Sequence, residues 1–492
     1  MVDPSVHARR RAALADRLGD GVFVLGGGSI TYRNADTEHL FRQSSDFSYL
    51  TGCQEPDAVL LVGIAGGEPR SFLFLPEPDP EIEVYTGRRV RPDEAVDVYG
   101  VDESRSINDL GNVLAEQLLD RPTLYWRPGV GCGDSMVNPV VDRARGWTHL
   151  GVGALRVEDP LPPLHDLRLR KDDIELAAMR GAAAISAEAH REAMRYAAPG
   201  LAEHQVQAAI EFVFRHRGAP REAYPSIVAS GPNACTLHYV NNDRTMADGD
   251  LLLIDAGTEV DGMASDITRT FPVGGSYSPA QRAVYDVVLA ALTECSAAAG
   301  PGSSLPDLHT RSTEVLTEGL VELGVIPGPI DRALAMHHYR AVYPHSLSHW
   351  LGRDVHDVGT QRVGPTLDEL GAGKPRPFEP GMAFTIEPGV YISPYQPTLE
   401  LAELEYDVTA WRIRRARLGA TAAKKLEAQA RDEAPVIHHE VPPDLVGIGI
   451  RIEDDVVVTA DGVEVLTAAV PKDPDEIEVL CAQSPTLPRS LH

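Results

Sequence analysis

Residues 251–271, LLLIDAGTEVDGMASDITRTF, restrict the fold more than any other stretch of the chain. The apolar run ending in Asp255 reads as a buried strand that delivers a carboxylate at its end. Asp261-Gly262 is a strong two-residue hairpin signal, because a tight type I′ turn needs two residues that tolerate positive φ. A loop centred on Val260-Asp261 pairs Asp255 with Asp266. A loop on Asp261-Gly262 pairs Asp255 with Thr268, two residues from Asp266. Opposite residues share a sheet face, and so do residues two apart on one strand. Either register therefore sets both aspartates on one face, where they repel unless protonated or bridged by a cation. Two independent strand-end turn aspartates are the plainer alternative.

Three later segments add candidates. HSLSHWLGRDVHDVG (345–359) carries His345, His349 and His356 among Gly and Trp, a mixture that suits the lining of a site. FTIEPGVYI (384–392) places Glu387 at the end of an apolar strand, and GIGIRIEDDVVVT (447–459) places Glu453 within an alternating one. A carboxylate in an apolar strand is costly to bury without a partner. Period-2 alternation puts Arg451 on the face of Glu453, so an Arg451–Glu453 ion pair is one such partner. A metal is the other. Asp255, Asp266, His349, Glu387 and Glu453 form an oxygen-rich set with one imidazole, which suits hard or borderline divalent ions such as Mn²⁺. Two divalent cations would offset the four negative charges. A water or hydroxide between two metals about 3.5–4 Å apart is a nucleophile at neutral pH.

Composition removes several classes. Lys plus Arg is 45 and Asp plus Glu is 72, a formal charge of −27. Phosphate neutralisation needs a basic surface, so nucleic acid and anionic membranes are not expected partners. No apolar run approaches the roughly 20 residues of a membrane span, and the N-terminus lacks the apolar core of a signal peptide. Cys53, Cys132, Cys235, Cys295 and Cys481 are widely spaced with no CxxC, which fits a reducing cytoplasm better than a disulfide framework.

Along the chain, 8–18 looks helical and 21–28, 57–63 and 71–78 read as buried strands. A helix is expected over 107–120 and a strand over 123–126. The Pro-rich EDPLPPLHD (158–166) reads as a linker, with a domain boundary near 165. Helical patterns follow at 172–197, 202–217, 279–298 and 307–323. The segment 397–446 stands apart as a charged insertion dominated by helix formers. Arg412, Arg414, Arg415, Arg417, Lys424, Lys425 and Arg431 face one acid, Glu427, in the most basic patch of an acidic chain. A solvated helical face is the ordinary reading of such a run. A partner or oligomer contact is the sharper one.

LIDAGTEVDGMASDITRTFP, HSLSHWLGRDVHDVG, GMAFTIEPGVYI and GIGIRIEDDVVVT resemble the metal-dependent Xaa-Pro aminopeptidases (aminopeptidase P) of the pita-bread peptidase family, and 33–61 resembles that family's N-terminal domain. The resemblance implies an α/β (α+β) chain. A small N-terminal α/β domain (1–165) would precede a pita-bread catalytic domain with a curved mixed sheet (166–492), carrying the helical insertion at 397–446. It implies two divalent ions, Mn²⁺ ahead of Zn²⁺ or Co²⁺, on Asp255, Asp266, His349, Glu387 and Glu453. A metal-bridging hydroxide would attack the bond between an N-terminal residue and a following proline. Glu387 would manage the nucleophile's proton. His356 would stabilise the tetrahedral intermediate, and His238 would shuttle protons or contact substrate. His345 would line the proline pocket, and Arg451, Tyr391 and Tyr224 would orient the ligands. Peptides with proline second are the implied substrates, and a cytoplasmic homodimer or homotetramer the implied assembly. Tyr85 stands where related enzymes carry a Trp that contacts a neighbouring subunit. The rival readings are prolidase, which cuts X-Pro dipeptides and shares all five ligands, and a non-catalytic binding protein of the same fold.

Overall fold

Apolar runs near the N-terminus assemble into one sheet buried on both faces. The computed structural model describes residues 3–150, 154–364, 374–405, 411, 414–415 and 417–489. It divides the chain into two units, residues 1–168 and 169–492. In the first, six strands run in the order 103–106, 68–75, 59–65, 21–26, 123–125 and 156–158. Antiparallel pairs join the second to fourth strands and parallel pairs complete the edges, so the sheet is mixed. Alternate residues point to opposite faces. Phe23, Leu25, Leu60 and Leu73 pack in one apolar cluster, and Val22, Val24, Leu61 and Phe72 in the other. That two-sided burial explains why these strands read as continuous apolar runs rather than alternating ones.

The expected linker at 158–166 is instead largely helical, over Leu161–Leu169. Pro162 and Pro163 fall in the first turn, where the missing N–H has no intrahelical acceptor to lose. Leu161 and Leu164 are buried in the first unit's core. Asp46 pins the helix, accepting from Arg168 Nη1 at 2.6 Å and lying 3.1 Å from His165 Nε2.

In the second unit the strand pairs among the described residues are antiparallel. Leu251–Asp255 lies between Ile227–Ser230 and Thr268–Pro272. Val260 pairs with Met263 across Asp261 (φ 49°) and Gly262 (φ 78°), so the two-residue turn is the one its sequence suggests. It fixes the register in which Asp255 opposes Thr268. A bridge between Thr268 and Glu453 joins this group to Asp454–Val458, which pairs with Ala383–Ile386. The helices Asp173–Tyr196, Glu203–His216, Pro279–Ala298 and Leu305–Glu322 cover the sheets, the first capped by Asp172 accepting from the amides of Ile174 and Glu175.

The insertion is helical only in part. Thr398–Ala402 pairs antiparallel with Val436–Glu440, and a helix spans Ala420–Glu433 between them. LELA consists of good helix formers, but Leu399 and Leu401 alternate with exposed Glu400 and bury one strand face in the core. Tertiary burial outweighs intrinsic propensity here. Residues 406–410 and Arg412, part of the basic run, lie outside the described residues.

Candidate metal centre

The strand register sets the first carboxylates. Asp255 ends its strand and Asp266 precedes Thr268–Pro272, so the two lie on one face. Tyr224 Oη lies 2.6 Å from Asp255 Oδ1 and 2.5 Å from Asp266 Oδ1. One hydroxyl proton cannot serve both, so one of these two short contacts calls for a further proton or a cation. The Thr268–Glu453 bridge brings in the third carboxylate, and Thr268 Oγ1 donates to Glu453 Oε2 at 2.7 Å. His349 stands beside the strand 383–386, where its carbonyl accepts from the Thr385 amide at 3.0 Å. The amide of Glu387 donates to the Leu347 carbonyl at 2.8 Å, which lays the fourth carboxylate alongside.

These side chains converge. Ligand atoms of Asp266, His349 and Glu453 lie within 4.8 Å of one another. His349 Nε2 is 3.4 Å from Asp266 Oδ2 and 3.8 Å from Glu387 Oε1. Its Nδ1–H donates to the Trp350 carbonyl at 3.0 Å, which leaves Nε2 aimed at the acids. Arg451 reaches Asp255 rather than Glu453, its alternative partner on the sequence pattern. Nη2 donates to Asp255 Oδ2 at 2.6 Å, Nη1 to Tyr391 Oη at 2.8 Å, and Nε to Thr268 Oγ1 at 3.0 Å.

Electrostatics expose the imbalance. Burial, with help from Asp266 and Asp255, pushes Glu387 up to about 8. Burial and the charges of Asp266, Glu387 and Asp255 hold Glu453 well above the carboxylate range. Burial also raises Asp255, despite Arg451. Asp266 alone is lowered, because hydrogen bonds from His349 and Tyr224 outweigh burial. His349 rises to about 9, since Asp266 and Glu387 overcome the burial that would lower it. Protons here stand where cations could. Buried oxygen donors, one oriented imidazole and excess negative charge fit divalent metal ions.

The remaining predicted residues lie around this cluster. His345 Nε2 is 2.9 Å from Tyr391 Oη and its Nδ1 3.8 Å from Glu387 Oε2. Burial and Arg451 press His345 down to about 4. The ring centroids of His349 and His356 are 4.3 Å apart, and burial together with His349 lowers the His356 pKa. His238 is exposed, and its neighbourhood contributes to the lowering of both His345 and His356. A cavity of about 1270 Å³ opens beside His345, lined also by Tyr343 and the insertion helix.

Sequence reasoning passed over three supporting residues. Thr268 links Arg451 to Glu453. Asp455 Oδ2 accepts from the Asp266 amide at 2.9 Å, while its buried Oδ1 has no hydrogen-bond partner among the described residues. Arg269, fully buried, binds Asp454 Oδ1 at 2.7 Å and the Glu453 carbonyl at 2.6 Å. The signal was the tandem Asp454-Asp455 inside an apolar strand, which requires two buried counterparts.

Comparison with known proteins agrees with this geometry. Residues 177–460 match metallopeptidase family M24, and 7–125 match the aminopeptidase P N-terminal domain. The chain is 37% identical over 477 residues to the Xaa-Pro aminopeptidase of Escherichia coli K12, covering 96% of each. It is 32% identical over 500 residues to a human Xaa-Pro dipeptidase, covering 97% of this chain and 93% of that one. A zinc-substituted E. coli aminopeptidase P in complex with product superposes with a TM-score of 0.84 at 36% identity over 98% of both chains. Among the described residues no helix is long and apolar enough to cross a membrane.

Proposed function

The chain belongs to metallopeptidase family M24, and from that premise we propose that it is a metal-dependent Xaa-Pro aminopeptidase, releasing an N-terminal residue that precedes proline. The observation that carries this reading is the convergence of four carboxylates and one oriented imidazole in a buried cluster. Residues 1–165 would be its N-terminal domain and 166–492 its catalytic domain.

Asp255, Asp266, His349, Glu387 and Glu453 would hold two divalent cations, Mn²⁺ by donor chemistry, with Zn²⁺ and Co²⁺ as alternatives. When bound, these ions would polarise the scissile carbonyl and make a water nucleophilic at neutral pH. Glu387, close to both His345 and His349, is placed to take and return the nucleophile's proton. His356, kept neutral near pH 7 by its lowered pKa, offers an N–H to the developing oxyanion. His238, exposed at the edge, would exchange protons with solvent. Arg451 and Tyr391 orient Asp255 and His345, and His345 lines the proline pocket.

The substrate's chemistry suits such a site. An X-Pro bond has no N–H, and the residues flanking it are conformationally restricted. A peptidase that grips the scissile N–H loses purchase there. A pocket shaped to the pyrrolidine ring turns the same rigidity into specificity. The five free cysteines support a reducing, cytoplasmic setting. Exposed Ile82, Val84 and Tyr85 support a homodimer or homotetramer.

Purified protein loaded with Mn²⁺ and offered Ala-Pro and Ala-Pro-Ala-Ala tests the reading. Release of alanine from the tetrapeptide is expected. Cleavage of the dipeptide alone would make the protein a prolidase, and cleavage of neither would remove the peptidase assignment.

A further inference from the structure

The basic run of the insertion is not used by the chemistry above, yet it lines the cavity that begins at His345. The helix Ala420–Glu433 contributes Lys424, Lys425 and Glu427 to the wall, and Arg415 precedes it. The other walls come from residues 306–314 and 334–346. Among the described residues two acids line the space, and both are engaged. Glu314 Oε2 lies 3.2 Å from Arg311, and Glu427 Oε1 lies 3.5 Å from Arg340 and 3.8 Å from Arg431. Lys424, Lys425 and Arg415 are exposed and have no carboxylate within ion-pairing distance among the described residues. At about 1270 Å³ the cavity exceeds the roughly 300–1,000 Å³ of ordinary small-ligand sites, which leaves room for several peptide residues.

We propose that this cavity is a carboxylate-binding subsite for the substrate residues that follow proline, with Lys424, Lys425 and Arg415 as its cationic wall. The inference rests on the Xaa-Pro peptidase reading, because His345 is where the proline would sit and the cavity is where the chain would continue. The carboxylate belongs either to the C-terminus of a short peptide or to an Asp or Glu side chain of a longer one. A net charge of −27 repels acidic ligands in general. A local basic wall beside the proline pocket offsets that repulsion where the ligand docks. Nucleic acid would still meet the whole negative field, whereas one peptide carboxylate meets the wall alone.

Four peptides separate the two sources: Ala-Pro-Ala-Ala, its C-terminal amide, and the amides of Ala-Pro-Glu-Ala and Ala-Pro-Gln-Ala. The Mn²⁺-loaded full chain and the double variant Lys424→Gln/Lys425→Gln are compared by kcat and KM. The unmodified protein should favour the carboxylate-bearing member of at least one pair by roughly 2–30-fold in KM, the range two exposed charge pairs reach. The variant should lose that preference while its kcat on the neutral amides is unchanged. Preference within the first pair assigns the C-terminus, and within the second the side chain. Equal KM values across both pairs, or a preference that survives the double variant, overturn the subsite. If none of the four is cleaved the peptidase reading falls, and calorimetric binding of Pro-Ala-Glu against the amide of Pro-Ala-Gln decides the subsite by itself. Tighter binding of the acid, abolished in the variant, sustains it, and equal binding ends it.

Discussion

Arg269→Met tests how the second unit holds its acidic cluster. The guanidinium is fully buried and makes five hydrogen bonds. Nη2 donates to Asp454 Oδ1 (2.7 Å) and the Val470 carbonyl (3.1 Å), Nη1 to the carbonyls of Glu453 (2.6 Å) and Thr268 (3.0 Å), and Nε to that of Pro471 (3.0 Å). Methionine fills much of the volume and supplies none of these donors. Breaking one side of a buried ion pair costs about 3–5 kcal/mol. Each carbonyl left without a donor adds about 1–3 kcal/mol. Thr268 keeps its bond from the Glu453 amide, and Lys472 with Thr467 still holds Asp454. The two costs therefore overlap, and about 5 kcal/mol is the worked expectation. Against a usual domain stability of about 5–15 kcal/mol, that is a large fraction. The melting midpoint should fall on the order of 5–10 °C. Metal affinity should fall as well, by about 10–100-fold, because the same guanidinium fixes the backbone of Glu453. Arg269→Lys, which keeps a charge beside Asp454 but loses the fork, should lie between. Calorimetric melting and a Mn²⁺ titration read both effects. A variant within about 1 kcal/mol of the parent, with unaltered metal affinity, would refute this role of Arg269.

Asp266→Ala should abolish metal retention and peptidase activity while the chelated protein still folds, with a lower melting midpoint because His349 and Tyr224 lose the carboxylate they hold ionised; elemental analysis and melting check this. Tyr224→Phe removes the hydroxyl between Asp255 and Asp266 and should weaken Mn²⁺ binding about 10–100-fold with little change in circular dichroism. Asp46 is largely shielded from solvent, and although that alone would raise its pKa, hydrogen bonds and charge from His165 and Arg168 hold it below the usual value. A lowered carboxylate stabilises above its unfolded pKa of about 3.9 and loses that contribution as pH falls through the folded value. Asp46→Asn should therefore cost about 3 kcal/mol near pH 7, and the gap from the parent should close in acid melts; a gap independent of pH would sink the argument. Finally, the Glu403 amide donates to the Pro435 carbonyl at 2.8 Å, so replacing 404–434 by a two-residue turn should keep the ribbon. Metal content and cleavage of neutral X-Pro amides should persist, and loss of metal would show that the helix supports the centre.

Much of the site was legible because its acids are costly where they stand. Asp255, Glu387 and Glu453 each interrupt or end an apolar strand, and the Asp261-Gly262 turn supplied the register. What the chain pattern could not give was partnership across strands distant in sequence. Alternation put Arg451 and Glu453 on one face, yet the guanidinium turns to Asp255, which the Thr268–Glu453 bridge brings alongside. Leu161–Leu169 escaped notice because two prolines mark a linker unless they fall in a helix's first turn. The ends of the insertion read as helix because Leu, Glu and Ala favour helices, and only the buried faces of Leu399 and Leu401 show otherwise.

The charge of −27 conceals two local fields of opposite sign. In the cluster, four carboxylates have one permanent cation among their direct partners in the described residues, Arg451, and it is committed to Asp255, Tyr391 and Thr268. That surplus can be relieved by protons or by metal ions, and only metal ions leave the carboxylates ionised at neutral pH. Across His345, the wall from the insertion carries surplus positive charge. A peptide lying between them would find cations at both ends of its bound length, metals at the scissile carbonyl and lysines beyond the proline. The arrangement favours a substrate whose negative charge lies downstream of the bond cut. The same carboxylate placed upstream would gain nothing from the lysines and would meet the acidic background directly.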